Sequence, residues 1–368
     1  MIHNEMRKHG IKLVLGYTVE GFKEKDNGVE VLLKDNPSLQ ADMVVLAIGV
    51  TPDTVLAKEA GLELGIKESI VVNDRMETSV PDIYAAGDAV QVKHYVTGND
   101  ALISLAGPAN KQGRIIADNI CGGDSRYLGS QGSSVIKVFD MTAATTGINE
   151  TNAKKSGLEV DTVILSPMSH AGYYPGGKVM TMKVIFEKES YRLLGAQIIG
   201  YEGVDKRIDV LATAIHAGLN ATQLKDLDLA YAPPYSSAKD PVNMAGFMID
   251  NIAKGTLKQW HLEAMDKISK DKDVVLLDVR TVGEFSIGHI DGFKNIPVDE
   301  LRERISEIEK GKPVYLICQS GLRSYIASRI LEGNGYETYN FSGGFRFYDA
   351  VVNDRALIER AYACGMDY

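Results

Sequence analysis

Residues 314–324 read VYLICQSGLRS, an apolar run that ends at Cys318 and continues through Arg323 into a helical pattern. The run predicts a buried strand, so Cys318 lies in a short loop between that strand and a helix. Loop N–H groups and the positive end of the helix dipole both stabilise a thiolate, which is the nucleophilic form of cysteine. The sequence therefore predicts a catalytic Cys318, and the alternative is an ordinary buried thiol.

The segments around this loop indicate an α/β domain. Lys272–Arg280 (KDVVLLDVR) has the pattern of a buried parallel strand, and residues 333–341 (GNGYETYNF) predict a helix end followed by another strand. The fixed positive charge of Arg323 predicts an anion at the loop, either thiosulfate or a persulfide on Cys318. Sulfur-transfer chemistry on a parallel sheet is the expectation for this part of the chain.

Four segments occur in a characteristic order: LLDVR (276–280), GHIDGFKNIP (288–297), CQSGLRS (318–324) and SGGFRFY (342–348). Together they resemble the rhodanese domains over roughly residues 265–355. The resemblance implies a persulfide carried on Cys318, with Arg323 stabilising the loop. It also implies an anion cradle formed by the backbone of Gln319, Ser320, Gly321, Leu322 and Ser324.

The same resemblance assigns structural roles to four polar residues. Asp278 and Arg280 match the structural ion pair of the rhodanese domains, and Glu284 and His289 are interpreted as scaffold residues. Cys318 is the one nucleophile that the sequence predicts.

Composition limits the number of domains, the kinds of partner and the location that the chain can have. The chain has 368 residues and 45% hydrophobic content, which predicts two or three well-packed domains. Its formal charge of −9 argues against a nucleic-acid partner, because phosphate binding needs a cationic face. The apolar runs are far shorter than the roughly 20 residues of a membrane span, so we expect neither a membrane partner nor a signal peptide. The three cysteines share no close spacing, so we expect neither a disulfide framework nor a metal site, and a cytoplasmic location.

The N-terminal region begins with the pattern of a helix end instead of a helix start. Residues 1–10 (MIHNEMRKHG) have the pattern of the last turns of a helix that ends at Gly10. Two strands are predicted at residues 11–22 and 28–34, joined by the hairpin turn Asp26-Asn27-Gly28, and a third at residues 41–50. Residues 83–86 (IYAA) predict a further strand that ends at Gly87-Asp88.

Further segments match a second family. AIGVTPDT (47–54), SVPDIYAAGDAV (79–90) and LAGPANKQGRIIADNI (105–120) resemble flavoprotein disulfide reductases with two dinucleotide-binding domains. HAGYYPGG (170–177) and YAPPYSSAKDPVNMAGF (231–247) resemble the dimerisation domain of coenzyme A disulfide reductases. With the C-terminal motifs, the whole resembles coenzyme A disulfide reductase-rhodanese fusions, which are thought to reduce coenzyme A disulfide, coenzyme A persulfide or polysulfide.

This second resemblance implies cofactors, partners and further site residues. Tyr173 and Tyr231 match the tyrosines that reach the active site of the partner subunit in a homodimer, and Asn110 and Lys239 match coenzyme A contacts. FAD and NAD(P)H are implied for the intact parent protein. The implied cofactor-binding residues are Gly87, Asp88, Ala89 and Tyr231.

The chain also departs from the reductase pattern. It contains no G-x-G-x-x-G motif and no cysteine at the position of the flavin-proximal cysteine, since Cys121 and Cys364 lie elsewhere. We expect that an N-terminal part of the parent protein is missing and that the flavin pocket is incomplete. Alternatives are a sulfurtransferase or sulfur carrier only, a dimerisation fragment with inactive sites, and a fragment of an NADH oxidase or peroxidase-like flavoprotein.

The predicted architecture is a partial reductase with an α+β dimerisation domain and an α/β rhodanese domain. Strands are expected at residues 179–186 and 193–200, with a helix at 204–217 whose apolar stripe includes Ile208 and Leu211. The expected domains are an NAD(P)-binding remnant at 1–40, an FAD-domain remnant at 41–121, a dimerisation domain at 125–250, a linker at 251–264 and a rhodanese domain at 265–368.

Overall fold

The computed structural model describes residues 1–364, with the side chains of residues 1–354. These residues form two compact units. The first comprises Met1–Lys93, Asn99–Gly129 and the described residues from Val352, and the second comprises His94–Gly98 and Ser130–Val351. In the part of the chain described, no helix is both long enough and apolar enough to cross a membrane.

The first unit contains a small antiparallel sheet and a long helix. Its strands are β1 (Val19–Lys25), β2 (Gly28–Leu33), β3 (Asn36–Ala41), β4 (Val92–Lys93) and β5 (Asp100–Ala101), and its helices are α1 (Ile2–Lys8), α2 (Val55–Glu59) and α3 (Ala106–Ile120). The strands pair in the order β1-β2-β3, and Lys25 lies opposite Gly28 across the predicted hairpin turn. Gly28 has a φ of +127°, a conformation that favours glycine. The hairpin prediction is confirmed.

Two strand predictions in this unit are wrong, and the strand predicted at residues 11–22 is present only from Val19, where β1 begins. Residues 42–50 form no strand, and the third strand is β3, which ends at Ala41. An all-apolar strand needs neighbours on both sides, and among the described residues no strand pairs with this segment. Ile48 is accordingly 90% exposed. Residues 83–86 contribute an isolated bridge between Glu77 and Tyr84 instead of a strand.

The second unit begins with a five-stranded antiparallel sheet in the order β6-β7-β10-β9-β8. Its strands are β6 (Ser134–Val138), β7 (Met141–Gly147), β8 (Val160–Leu165), β9 (Thr181–Glu187) and β10 (Leu193–Gly200), and its helices are α4 (Glu150–Lys155), α5 (Val204–His216) and α6 (Pro241–Ala253). The predicted stripe of α5 is in the core, where Ile208 and Leu211 are buried with Met182, Val184 and Ile198 of the sheet. Each such side chain contributes about 1.5–3 kcal/mol by leaving water.

A second sheet, entirely parallel, follows in the order β11-β15-β14-β12-β13. Its strands are β11 (Gln259–Trp260), β12 (Val275–Asp278), β13 (Lys294–Asn295), β14 (Val314–Ile317) and β15 (Thr338–Phe341), and its helices are α7 (Met265–Ile268), α8 (Val282–Ile287), α9 (Leu322–Glu332) and α10 (Gly344–Cys364). The predicted α/β architecture with a parallel sheet is confirmed. β14 lies at the centre, so the residue that follows it lies at the carboxyl edge, where α/β proteins place their ligands.

The segment predicted as a linker is part of this sheet. Gln259 and Trp260 pair with Asn340 and Phe341, so the sheet begins before the expected boundary at residue 265. Trp260 is buried, and its ring centroid lies 4.6 Å from that of Phe341. The packing of Trp260 against Phe341 therefore places the start of the sheet before residue 265.

The two sheets of the second unit are joined by polar contacts. Gln259 Nε2 donates to the carbonyl of Thr162 at 2.8 Å, and His261 Nε2 lies 3.0 Å from Asp161 Oδ1. Ile164 N donates to Ser342 Oγ at 3.1 Å. The connection between α6 and the parallel sheet is therefore a docked segment, as its lack of a Ser/Gly/Pro-rich tract predicts.

Candidate functional site

Cys318 follows β14 directly and begins the turn that leads into α9. Gly321 precedes that helix with a φ of +100° and supplies no side-chain cap. A residue with a Cβ is strained at this φ, so glycine allows the turn to fold back tightly. The first N–H groups of α9 therefore point toward the loop and not into a capping side chain.

Two hydrogen-bond donors converge on the sulfur. Gly321 N lies 3.1 Å from Cys318 Sγ, and Ser324 Oγ lies 3.2 Å from the same atom. Cys318 is fully buried. The Gly321 N–H favours negative charge on the sulfur, because it presents a positive hydrogen. The Ser324 hydroxyl does the same when its one proton turns to the sulfur and not to the Gly321 carbonyl, which lies 3.1 Å from Ser324 Oγ. Of the predicted cradle, Gly321 and Ser324 thus contact the resting thiol directly.

The segment SGGFRFY is hydrogen-bonded to the Cys318 loop through the residues that follow its glycine pair. Phe345 N donates to the carbonyl of Cys318 at 2.8 Å, and Arg346 N donates to that of Gln319 at 3.1 Å. A Cβ on Gly344 would lie 2.7 Å from the Cys318 carbonyl oxygen, closer than real Cβ contacts. Gly344 is therefore a site determinant to which the sequence pattern alone assigned no role. Its signal was the Gly-Gly pair just after a predicted strand.

Arg323 faces a carboxylate. Its Nη1 and Nη2 atoms lie 2.7 Å from the two oxygens of Glu284, and that carboxylate also accepts from the backbone and hydroxyl of Thr281. The contact with Arg323 lowers the pKa of Glu284 to about 2. This geometry ties the N-terminus of α9 to α8 and favours a loop-stabilising role for Arg323.

We predict that Glu284→Gln destabilises the chain by about 1 kcal/mol at neutral pH, since the pair is partly exposed. The pKa of the folded-state carboxyl lies below its ordinary value of 4.5, so its contribution is complete above 4.5 and is lost as the pH falls toward about 2. Urea unfolding at pH 7 and at about pH 3 should therefore show a difference between variant and wild type that shrinks in acid. An equal difference at both pH values would contradict this assignment.

Asp278 and Arg280 form a buried ion pair beside the loop. Arg280 Nη2 lies 2.6 Å from Asp278 Oδ2 and 2.8 Å from the Gly288 carbonyl, and the guanidinium lies 3.8 Å from the ring centroid of Phe345. His289 stacks on Phe285 with its Nδ1 atom 3.1 Å from the Phe285 carbonyl. These contacts agree with the scaffold roles that the sequence suggested for Asp278, Arg280 and His289.

The tyrosines predicted to act together lie together. The hydroxyls of Tyr173 and Tyr231 are 2.7 Å apart, and both side chains are exposed. The hydrogen bond with Tyr173 raises the pKa of Tyr231. Tyr174 and Tyr235 are also exposed, at 43% and 72%. They lie on irregular segments whose proline-containing turns leave their rings outside the sheet.

A cavity of about 530 Å³ lies beside Tyr231 and is also lined by His170, Lys206 and Tyr235. Arg207 forms its base and is neutralised by Asp240 at 3.0 Å. The surface of the cavity is mostly apolar, and its wall carries the opposite charges of Glu202 and of Lys206, whose amine lies 3.8 Å from Asp240.

The remaining predicted residues make contacts within their own units. Asn110 Nδ2 donates to the Ala106 carbonyl at 2.9 Å on the exposed face of α3, and the Lys239 amine lies 5.8 Å from the ring centroid of Phe247. Gly87 N donates to Gln112 Oε1 at 2.8 Å. Asp88 is exposed, and Ala89 accepts from Ile70 N at 2.8 Å. Cys121 is exposed, and the side chain of Cys364 lies outside the described residues.

The fold and loop define a class: a disulfide-reductase dimerisation sheet followed by a rhodanese-like domain. Three family models match the chain in agreement with this class. Residues 1–113 match the pyridine nucleotide-disulphide oxidoreductases, residues 133–241 match the dimerisation domain of those enzymes, and residues 261–350 match the rhodanese-like domain.

Relatives are found among characterised proteins. The chain is 36% identical over 242 residues to a CoA-dependent NAD(P)H sulfur oxidoreductase of Pyrococcus abyssi, covering 66% of this chain and 54% of that protein. It is 35% identical over 247 residues to a coenzyme A disulfide reductase of Staphylococcus aureus, covering 67% and 55%. The chain thus spans about half the length of these relatives.

Two solved structures are similar over nearly the whole chain. The reduced CoADR-RHD of Bacillus anthracis has a TM-score of 0.93 and 46% identity, covering 96% of this chain and 63% of that one. An NAD-dependent persulfide reductase from A. fulgidus has a TM-score of 0.86 and 40% identity, covering 94% and 63%. The chain belongs to the coenzyme A disulfide reductase-rhodanese fusions of the pyridine nucleotide-disulphide oxidoreductase family.

Proposed function

We propose that this chain transfers sulfane sulfur through Cys318 as part of a pyridine nucleotide-dependent flavoprotein that reduces coenzyme A disulfide, coenzyme A persulfide or polysulfide. One observation carries the sulfur-transfer step: Gly321 N and Ser324 Oγ both point at Cys318 Sγ, at 3.1 and 3.2 Å. A buried thiol that served only for packing would need neither donor. The arrangement supports a sulfur that alternates between thiolate and persulfide.

Loading begins when the Cys318 thiolate attacks the outer sulfur of a donor such as thiosulfate. A new bond forms between Sγ and that sulfur, the sulfur–sulfur bond of the donor breaks, and sulfite leaves with the electron pair. The persulfide so formed keeps a negative charge near the N-terminus of α9, where the loop donors and the helix dipole favour it. Covalent catalysis of this kind divides one transfer into two easier steps.

Within this proposal Arg323 acts through the loop. Its guanidinium is held by both oxygens of Glu284 at 2.7 Å, which supports a role in fixing the start of α9. Gln319, Ser320 and Leu322 complete the turn and give the anion cradle its shape. Gly321 and Ser324 are proposed as the direct hydrogen-bond donors to the sulfur.

The reductase part of the proposal rests on the tyrosine pair. A phenol hydroxyl can donate to a developing thiolate, and Tyr173 and Tyr231 share a hydrogen bond that leaves one O–H proton for a ligand. The neighbouring cavity, whose wall includes Glu202 and Lys206, is proposed to take part of a coenzyme A derivative. Asn110 and Lys239 are proposed as additional coenzyme A contacts because of the family match.

We propose FAD and NAD(P)H as the cofactors, because residues 1–113 match the pyridine nucleotide-disulphide oxidoreductases. A bound flavin would supply electron transfer from the nicotinamide to a disulfide or persulfide. Gly87 has a φ of +87° with open space where a Cβ would stand, and Asp88 offers an exposed carboxylate. With Ala89, these residues fit one part of a flavin nucleotide.

We further propose a cytoplasmic homodimer. The match of residues 133–241 to a dimerisation domain supports self-association. The outer strand β6 exposes Val135 and Ile136 at 58% and 59%, which suits burial against a second copy. A reducing cytoplasm would keep the nucleophile Cys318 as a thiol between turnovers.

The sulfur-transfer step is tested by incubating the purified chain with thiosulfate and locating the added mass by peptide mass spectrometry. We expect one sulfur atom on the peptide that contains Cys318 and none on the peptide that contains the exposed Cys121. Sulfur on both cysteines, or on Cys121 alone, would refute a built carrier site.

A further inference from the structure

The hydroxyl of Ser324 has one proton and two acceptors within reach. Ser324 Oγ lies 3.2 Å from Cys318 Sγ and 3.1 Å from the Gly321 carbonyl oxygen. Ser324 is fully buried, so these two atoms are the acceptors that the described residues offer to its proton. Because a hydroxyl donates one hydrogen bond at a time, the charge that the loop stabilises on the sulfur depends on which acceptor takes this proton.

The Gly321 carbonyl oxygen is within reach of two other donors. Tyr325 N, in the first turn of α9, lies 3.1 Å from it, and Asn340 Nδ2 lies at the same distance. A carbonyl oxygen has two lone pairs, so it accepts two good hydrogen bonds. The N–H of Tyr325 is fixed in the helix backbone, whereas the Ser324 hydroxyl rotates about a single bond. With Asn340 and Tyr325 on the carbonyl, the Ser324 proton turns to the sulfur.

Asn340 reaches this carbonyl from β15, the neighbour of β14 in the parallel sheet. Its side chain is 2% exposed. Since a donor must face a carbonyl oxygen, the contact with Gly321 identifies Nδ2 as the end of the amide that points to the loop. The other end, Oδ1, is buried and has no hydrogen-bond partner among the described residues. An unpaired buried acceptor costs free energy, so packing alone would favour an apolar residue of the same size here.

We propose that Asn340 is a positioning residue of the sulfur-transfer loop, which occupies the Gly321 carbonyl and thereby directs the Ser324 hydroxyl proton to Cys318. Asn340 acts on the charge of the sulfur through Ser324. The inference rests on the proposed function of Cys318 and adds a residue from a distant strand to its loop. The effect is needed twice in each cycle, when the thiolate attacks a donor and when the sulfur leaves the persulfide as a thiolate.

The test is an ultraviolet titration of the Cys318 thiolate in the full chain. Subtracting the curve of Cys318→Ser removes the absorbance of the other cysteines and of the tyrosines. We expect Ser324→Ala to raise the midpoint of the titration by about one pH unit, because one hydrogen bond to the thiolate is lost. Asn340→Leu should raise it by at least about half a pH unit, because the Ser324 proton is then shared with the vacated lone pair of the carbonyl.

The double variant separates positioning from a general loss of loop structure. If Asn340 acts through Ser324, adding Asn340→Leu to Ser324→Ala leaves the midpoint of Ser324→Ala unchanged. A disordered loop would also lose the Gly321 N–H, and the midpoint would rise further. Additive shifts in the double variant, or an unshifted midpoint in either Ser324→Ala or Asn340→Leu, would overturn the inference.

Thr338→Val is the matched control on the same strand. Thr338 is 1% exposed, and its Oγ1 donates to Glu332 Oε1 at the C-terminal end of α9, at 2.8 Å. This variant loses one buried hydrogen bond and should keep the wild-type midpoint. A shift as large as that of Asn340→Leu would assign the effect to destabilisation and reject the positioning role.

Asn340→Ala takes the place of Asn340→Leu in every comparison if the leucine variant does not fold. The proposed function is judged by a separate measurement, the loading of Cys318 with sulfur from thiosulfate. Wild type that fails to load would refute sulfur transfer, and the titrations would still decide whether Asn340 and Ser324 are coupled. Normal loading with uncoupled titrations would refute the positioning role alone.

Discussion

Replacing Cys318 by serine should reduce sulfur transfer from thiosulfate to cyanide by at least about three orders of magnitude. A serine hydroxyl is not ionised at neutral pH and cannot carry a sulfane sulfur as a persulfide. The change is nearly isosteric, and Gly321 N and Ser324 Oγ can donate to the new oxygen as they do to the sulfur. We expect the free energy of unfolding to change by only about 1 kcal/mol.

Rates of thiocyanate formation, measured beside urea unfolding of the same preparations, check this result. Cys121→Ser is the matched control, because it makes the same chemical change at an exposed thiol and should retain full activity. A Cys318→Ser protein that is folded and still transfers sulfur would exclude a Cys318 persulfide. Loss of activity in Cys121→Ser would show that the assignment to one cysteine is wrong.

Asp278→Ala should be the most destabilising of the substitutions considered, by about 3–5 kcal/mol. It would leave the Arg280 guanidinium, which is 1% exposed, buried without its counter-charge. Arg280 would keep the Gly288 carbonyl and the face of Phe345, but neither carries a full negative charge. This loss is a large part of the roughly 5–15 kcal/mol that stabilises a typical domain.

Equilibrium urea unfolding is the measurement, and the same domain offers a control. Arg304 and Glu307 form an exposed ion pair at 2.6 Å, and Glu307→Ala should cost at most about 1 kcal/mol. The double change Asp278→Leu with Arg280→Met should cost less than Asp278→Ala alone, because no charge then remains buried. Equal losses for Asp278→Ala and Glu307→Ala would contradict the dependence on burial.

Local patterns predicted the elements that depend on local contacts. Residues 193–200 were predicted as a strand and form β10 with those bounds, and residues 204–217 were predicted as a helix and form α5. For α5 the apolar periodicity matches the buried face, and the nearly continuous apolar run of β10 matches a strand that is buried along almost its whole length. The same reasoning failed at residues 41–50, where apolar content predicted a strand. A strand needs a hydrogen-bonded neighbour, and the segment has none within the described residues.

The site predictions likewise succeeded for local contacts and failed for contacts between distant elements. The loop from Cys318 to Ser324 was found from the sequence because a strand, a cysteine and a helix start follow one another within a few residues. The contributions of Gly344 and Asn340 were not found, since these residues reach the loop from distant elements. Trp260 was assigned to a linker for the same reason, although it is paired with Phe341.

The sequence by itself determined the reactive group, the order of the elements and the family resemblance, because these depend on residue type and short-range spacing. Only the tertiary structure decided which atoms face the sulfur, that Arg323 is bound by Glu284, and that Asn340 donates to the Gly321 carbonyl. The physical reason is that the Arg323–Glu284 pair joins residues far apart in the chain. The contacts of Gly321 and Ser324 with the sulfur are short in sequence, but they depend on how the loop folds against Phe345 and Arg346. These distances exist only after the parallel sheet and its helices have packed together.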